Sequence, residues 1–155
     1  MITVAFSLGL TCYQIAVLQC LLGQPSFLDD VLSMDIKEPD PGLVQTLQNV
    51  AKFKNLGQQD NVNDAIKSFR KQVDKALPQF KGNRMHDAHE FLVSLFDHML
   101  IELGKTKSTS PIEDNFAFKL QETRTCFKCK HASQFTKEDH CLRLDMPEAN
   151  EQVSH

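Results

Sequence analysis

The apolar pattern predicts an α+β fold: a helical lobe over residues 1–104, a linker at residues 105–111, and the start of an antiparallel β lobe over residues 112–155. Three observations predict it. Across residues 85–104, Ala88, Phe91, Leu92, Leu95, Phe96, Met99 and Leu100 follow i, i+3, i+4, i+7 spacing, the signature of one buried helix face. Two earlier segments carry the same period. Beyond the linker the period drops to two, with Phe116, Phe118 and Leu120 alternating with polar neighbours, as a half-buried strand does.

The elements follow in order. The run Gly9-Leu10-Thr11-Cys12-Tyr13-Gln14 precedes a helix that is apolar on nearly every face. Thr11 with Gln14 three residues on fits a capping box, which places Cys12 at the first helical position. Unpaired backbone N–H groups and the positive end of the helix dipole converge there, and a thiol so placed loses its proton more readily, the thiolate being the nucleophile. The alternative is a buried cysteine acting as a small hydrophobe. Residues 26–32 read as a short capped helix after Pro25. Residues 42–53 carry Leu43, Val44, Leu47, Val50 and Ala51 at helical spacing, and Val62, Ala65, Ile66, Phe69, Val73, Ala76 and Leu77 form a stripe that stops before Pro78. Both are read as packing elements around the Cys12 helix. The helix of residues 85–104 has an opposite face bearing His86, Asp87, His89, Glu90, Asp97 and His98. Residues 105–111, rich in Ser, Thr and Lys and ending in proline, read as a linker. The later run Leu142, Leu144 and Met146, closed by Pro147, reads as a second strand. No internal repeat or low-complexity tract is present.

Bulk composition limits the function. At 155 residues the chain can bury about two-thirds of its unfolded surface, enough for one real core. A net charge of −3 carries no basic bias, so nucleic acid is not an expected partner. The longest apolar stretch, residues 15–22, is interrupted by Gln19 and is too short to span a bilayer, so no membrane association is expected. The first ten residues lack the charged start and the length of a secretory signal. Five cysteines, an odd number, then favour reduced thiols in an intracellular compartment, cytoplasm or nucleus, over a disulfide framework.

Cys126-Phe127-Lys128-Cys129 permits two chemistries: a thioredoxin-like redox site opening a helix, or a zinc knuckle turning a β-hairpin. Strand-like flanks and the adjacent Lys128 and Lys130 favour zinc. Structural zinc takes four ligands, and this turn supplies two, Cys126 and Cys129. Cys141, His131 and His140 are the nearby residues able to complete the site.

Three separated stretches resemble successive blocks of the ubiquitin-specific proteases, papain-like cysteine deubiquitinases. Gly9-Leu10-Thr11-Cys12-Tyr13 with Leu18-Gln19-Cys20-Leu21 is similar to the family's cysteine box. Asp87-Ala88-His89-Glu90-Phe91-Leu92 resembles the second box, on a long helix. The stretch from Phe116 through Cys126-Phe127-Lys128-Cys129 to Leu142-Arg143-Leu144-Asp145-Met146-Pro147 resembles the first half of the fingers region with its zinc knuckle. The resemblance implies a helical thumb-like lobe, the beginning of an antiparallel fingers-like region, and an incomplete papain-like fold.

It also implies roles. Cys12 matches the nucleophile that attacks the carbonyl after ubiquitin's C-terminal glycine. Asp87 and Glu90 match acidic positions that hold ubiquitin's arginine-rich tail, and they lie one helical turn apart, where charge-assisted pairs with arginine are the stronger kind of hydrogen bond. Cys126 and Cys129 match the first ligand pair of a structural zinc; no organic cofactor is implied. The partners implied are ubiquitin and ubiquitinated proteins. His89 matches a common residue of the second block that is not the general base.

The departures bear on activity. Ser7 stands where the family carries an asparagine that donates to the oxyanion; loss of such a donor typically costs about 2.7–4 kcal/mol of transition-state stabilisation. Leu10, Ile15 and Met85 replace polar residues of the pattern, each making the site more apolar. The family's base, its orienting partner and the second cysteine pair come later than the region resembled here, and His86, His89, His98, His131, His140 and His155 are not assigned as the base. Two expectations follow: an N-terminal fragment of a deubiquitinase that does not turn over substrate alone, or an inactive relative that binds ubiquitin or another protein.

Overall fold

The computed structural model describes residues 12–36, 41–106 and 110–142. Six helices precede one two-stranded antiparallel sheet among these residues: α1 Cys12–Gly23, α2 Pro25–Ser33, α3 Leu43–Asn55, α4 Gln59–Ala76, α5 Ala88–Thr106, α6 Pro111–Phe116, β1 Phe118–Thr125 and β2 Ala132–Asp139. The predicted α+β class is borne out, helices first and strands last. The chain divides into two units, Met1–Asn115 and Phe116–His155. No single helix is long and apolar enough to cross a membrane among the described residues.

The helical unit is built on the predicted stripes. Leu43, Leu47, Val50 and Ala51 of α3, Ile66, Phe69 and Val73 of α4, and Phe91, Leu95 and Met99 of α5 are buried. From α1 the side chains of Tyr13, Ile15, Val17, Leu18, Leu21 and Leu22 enter the same core. α2 starts on Pro25 at its first turn, preceded by Gln24 in extended conformation, the position where proline's missing N–H costs nothing. Between α3 and α4 the backbone closes a Schellman turn: Gly57 N–H donates to Lys54 and Gln58 N–H to Phe53, both at 3.1 Å. Gly57 has φ of +66° there, a conformation that glycine adopts without the Cβ penalty.

Several helix ends are satisfied by side chains from other helices. The Glu102 carboxylate on α5 accepts from the backbone N–H of Leu43 at 3.0 Å and of Val44 at 2.9 Å, at the start of α3. Gly42 leaves room for it, since a Cβ there would lie 2.7 Å from Glu102 Oε2. Lys54 Nζ donates to the Leu22 carbonyl at 2.6 Å, near the end of α1, where a cation also suits the helix dipole. Gln48 Nε2 donates to the carbonyls of Val31 and Met34 at the end of α2. Helix α6 buries Pro111 and Ile112, and Asn115 Nδ2 donates to Asp30 Oδ2 at 2.6 Å.

The second unit is the hairpin. Its ladder pairs Phe118 with Asp139 at one end and Thr125 with Ala132 at the turn, through eight residue pairs. Phe118 and Leu120 share a face, as the period of two predicts, and both are half-buried. Phe116, the first residue of that run, instead ends helix α6, so residues 111–116 are helical and not part of the strand. β2 has no such alternation, and only Ser133 and Asp139 are less than fully exposed in it. The second strand read from Leu142, Leu144, Met146 and Pro147 does not coincide with β2; residues 143–155 lie outside the described residues, and Leu142 is exposed.

Candidate functional site

Cys12 is the first residue of α1, and it is exposed. Thr11, Leu10 and Ser7 lie outside the described residues, so the capping box and the oxyanion position are not described structurally. The buried-small-hydrophobe alternative for Cys12 does not hold. Helix α1 is apolar almost all round yet leaves Cys12, Ala16, Gln19, Cys20 and Gly23 exposed, a stripe at helical spacing. Cys12 heads that stripe, while Ile15, which departs from the family pattern, turns into the core at 6% exposure.

Two constructions fix the first turn of α1. Tyr13 is the centre of a ring cluster: its ring lies edge-on to Phe91 at 5.4 Å between centroids and to His86 at 5.6 Å. Phe80 closes the cluster, 5.1 Å from His86 and 5.2 Å from Phe91, and its carbonyl accepts from the Tyr13 hydroxyl at 3.5 Å. Offset and edge-on pairs of this kind contribute beyond the area they bury. The second construction is polar. Gln14, fully buried, accepts a hydrogen bond at Oε1 from Arg70 Nη1. Arg70 also donates from Nη2 to the Gly82 carbonyl and pairs through Nε with Asp74 at 3.1 Å. One guanidinium thus joins α1, α4 and the segment leading to α5, and the buried amide oxygen of Gln14 has its donor.

Through Tyr13 the first turn of α1 meets the segment that opens α5, and so Cys12 and the acidic pair belong to one corner of the helical unit. Asp87 precedes α5 and acts as its cap: Oδ1 accepts from the Glu90 N–H at 2.9 Å, and its carbonyl accepts from Phe91 N–H at 3.1 Å. Asp-x-x-Glu is the capping-box arrangement, so Asp87 has a structural duty that its family match alone does not reveal. Glu90 is exposed in the first turn. Met85 beside them is 87% exposed, an apolar side chain at the rim of the acidic pair.

The histidines are distributed. His86 is in the ring cluster, His98 Nε2 contacts Glu102 Oε1 at 3.2 Å, and His131 and His140 belong to the hairpin unit. Sequence reasoning missed Arg70, although its signal was present: an arginine between Phe69 and Val73 on the apolar stripe of α4. It also missed the ring cluster, whose members lie in three separate segments.

Cys126 and Cys129 occupy the hairpin turn, both exposed. Cys126 N–H donates to the His131 carbonyl at 2.8 Å and Lys130 N–H to the Cys126 carbonyl at 2.9 Å, with Lys130 itself at φ of +58°. The Cys126 thiol is held below its ordinary value, first by the backbone N–H of Cys129, then by the Cys129 thiol and the Lys128 N–H. Amide hydrogens aimed at a sulfur suit a thiolate that binds a soft metal, so this pair fits half of a zinc site. No group of three or more His, Cys, Asp or Glu side chains able to hold a metal occurs among the described residues. His140 and Cys141 lie past the opposite end of the ladder. Seven residue steps separate the two ends, roughly 24 Å at the usual strand rise, and that distance removes both from the set able to complete the site.

Comparison with known proteins agrees with this architecture. A family model described as ubiquitin carboxyl-terminal hydrolase matches residues 6–149. Ubiquitin carboxyl-terminal hydrolase 29 of Mus musculus is 25% identical over 162 residues, covering 90% of this chain and 19% of its own length. Ubiquitin carboxyl-terminal hydrolase 26 of Homo sapiens is 28% identical over 172 residues, covering 92% of this chain and 19% of its own. A solved structure of the SAGA Ubp8/Sgf11/Sus1/Sgf73 DUB module bound to ubiquitin aldehyde superposes with a TM-score of 0.64 at 17% identity, over 83% of this chain and 31% of that one. At that identity the likeness shows the fold. The chain spans less than a fifth of the length of these curated relatives.

Proposed function

The chain belongs to the ubiquitin carboxyl-terminal hydrolase family, and from that premise we propose that it carries the nucleophile-bearing part of a cysteine-type deubiquitinase. Cys12 is the nucleophile. Its sulfur bonds to the carbonyl carbon of ubiquitin's C-terminal glycine, the isopeptide C–N bond breaks, and the substrate amine leaves with a proton. Water then attacks the thioester, releasing ubiquitin's carboxylate and restoring the thiol. The base belongs to no histidine assigned in this chain, and Ser7 is the residue at the oxyanion position. Exposure of Cys12 at the start of α1, in the same corner as the acidic residues opening α5, is the observation that carries this reading.

Glu90 and Asp87 hold the arginine-rich ubiquitin tail, Glu90 with its exposed carboxylate and Asp87 while capping α5. Zinc is the proposed structural ion at Cys126 and Cys129. When bound it would cross-link the turn, and it takes no part in the chemistry at Cys12. Five free thiols among the described residues fit a reducing, intracellular site of action.

A second reading, ubiquitin binding without turnover, is supported by His86 and His98 being engaged in a ring cluster and with Glu102. Alkylation of the 155-residue chain by iodoacetamide tests the shared premise. Ubiquitin is expected to protect Cys12 but leave Cys20 reactive, and Glu90→Arg to abolish protection. Equal rates with and without ubiquitin would overturn both readings. A ubiquitin probe with a C-terminal electrophile is expected to leave Cys12 of the 155-residue chain largely unlabelled, because no histidine here is assigned as its base. Rapid stoichiometric labelling confined to Cys12 would overturn the expectation that this chain does not turn over substrate alone.

A further inference from the structure

We infer that Met85 is a specificity-determining residue: its exposed side chain covers the aliphatic stem of an arginine in ubiquitin's tail while Asp87 or Glu90 holds the guanidinium. This deepens the tail-holding role proposed above for the acidic pair, and it rests on that reading.

Exposure by itself is ordinary, since single apolar side chains stand on most protein surfaces. Met85 is set apart by how firmly it is presented. At 87% it is more exposed than Leu56 at 57% or Ile101 at 59%, the other exposed large apolar side chains among the described residues of the helical unit. Its segment is nevertheless pinned on both sides. Ahead of it, the Gly82 carbonyl accepts from Arg70 Nη2. Behind it, the His86 ring packs edge-on against Tyr13 and Phe80, and Asp87 caps α5. His86 turns into the ring cluster, while Met85 and Asp87 on either side of it are exposed. A side chain held out by a fixed backbone loses little freedom when a partner meets it.

The chemistry of arginine explains why an apolar residue belongs there. Its stem is apolar and its head is a planar cation. Exposed carboxylates attract any cation, and salt screens that pull. An apolar side chain beside them removes the stem from water and, by excluding water, strengthens the attraction between guanidinium and carboxylate. Methionine suits the task because it is unbranched and polarizable and fits irregular partners. Met85 also replaces a polar residue of the family pattern, so the contact is a property of this chain.

The 155-residue chain is titrated with ubiquitin while alkylation of Cys12 by iodoacetamide is followed by mass spectrometry, with Cys20 as the unprotected reference. Met85→Ala is expected to raise the ubiquitin concentration for half-protection roughly fivefold, with helical circular dichroism unchanged. Met85→Leu should stay close to the parent. Against ubiquitin variants with one tail arginine changed to alanine, the Met85→Ala loss should vanish for one arginine, whose stem is then gone. At high salt the Met85→Ala ratio should persist, whereas that of Glu90→Gln shrinks. Ile101→Ala, an apolar loss roughly 20 Å from the start of α5, should leave protection unchanged. Unchanged half-protection in Met85→Ala overturns the inference and leaves the acidic-pair reading standing. So does the same loss against every arginine variant, or an equal loss in Ile101→Ala. A parent chain that ubiquitin does not protect overturns the deubiquitinase reading and this inference with it.

Discussion

The helical unit and the hairpin obtain their order by opposite means. In the helical unit, Phe27, Phe69, Phe80 and Phe91 have no exposed surface, and helix ends are tied to other helices by Glu102, Lys54 and Gln48. In the hairpin, the ladder itself and neighbouring charge pairs such as Lys119 with Glu138 at 3.5 Å do most of the holding. Exposed pairs of that kind contribute little. Where apolar burial is available, the chain can spend side chains on positioning Cys12. Where it is absent, the ladder stands largely exposed, and a two-stranded sheet is marginal alone in water.

The contrast can be tested at two phenylalanines. Phe69→Ala is expected to cost ~3–5 kcal/mol, seen as a large fall in the urea midpoint of helical unfolding. Phe135→Ala, half exposed on β2 with the Arg124 guanidinium 5.3 Å from its ring centroid, should leave that midpoint unmoved. A similar fall for both would show that the hairpin shares the helical core.

Next in size is the polar bracket behind Cys12. Arg70→Ala leaves the Gln14 oxygen buried without its donor and should cost roughly 3 kcal/mol. The Arg70→Met, Gln14→Leu pair should recover most of it, which a double-mutant cycle in urea would measure. Glu102→Ala comes third: uncapping Leu43 and Val44 should cost ~1–2 kcal/mol, with faster amide exchange confined to the first turn of α3.

The smallest effect belongs to the hairpin. Lys137 beside Asp139, helped by the N–H groups of Cys141 and His140, holds the Asp139 carboxyl down to about 2. A folded value below the unfolded one means that the contribution is present above the ordinary carboxylate range and fades as pH falls through about 2. Since Asp139 belongs to the hairpin and not to the helical unit, chemical shifts of its side chain should titrate in that range while the helical unit stays folded.

Much of this was legible from residues alone. Periodicity located α3, α4 and α5 to within a few positions, because each buries one continuous stripe. A helix running from Cys12 was legible from the apolar run that follows it, while the cap proposed at Thr11 lies outside the described residues. β2 escaped because a strand exposed on both faces has no alternation to read. Asp87 was legible as an acidic residue of the second block but not as a cap, since the helix was expected to begin at Met85, three residues before Ala88. His140 and Cys141 looked near the turn because closeness along the chain concealed an intervening ladder.

What the sequence by itself determined are the features that depend on neighbours a few residues apart: the helices and the Cys-x-x-Cys turn. Only the tertiary structure decided the rest. Glu102 caps a helix 58 residues away, Arg70 reaches Gln14 across 56, and Tyr13 meets Phe80 across 67. Local stereochemistry sets a helix, because its hydrogen bonds span four residues. Which distant side chain satisfies its ends depends on how the apolar faces pack, and no short window of sequence contains that.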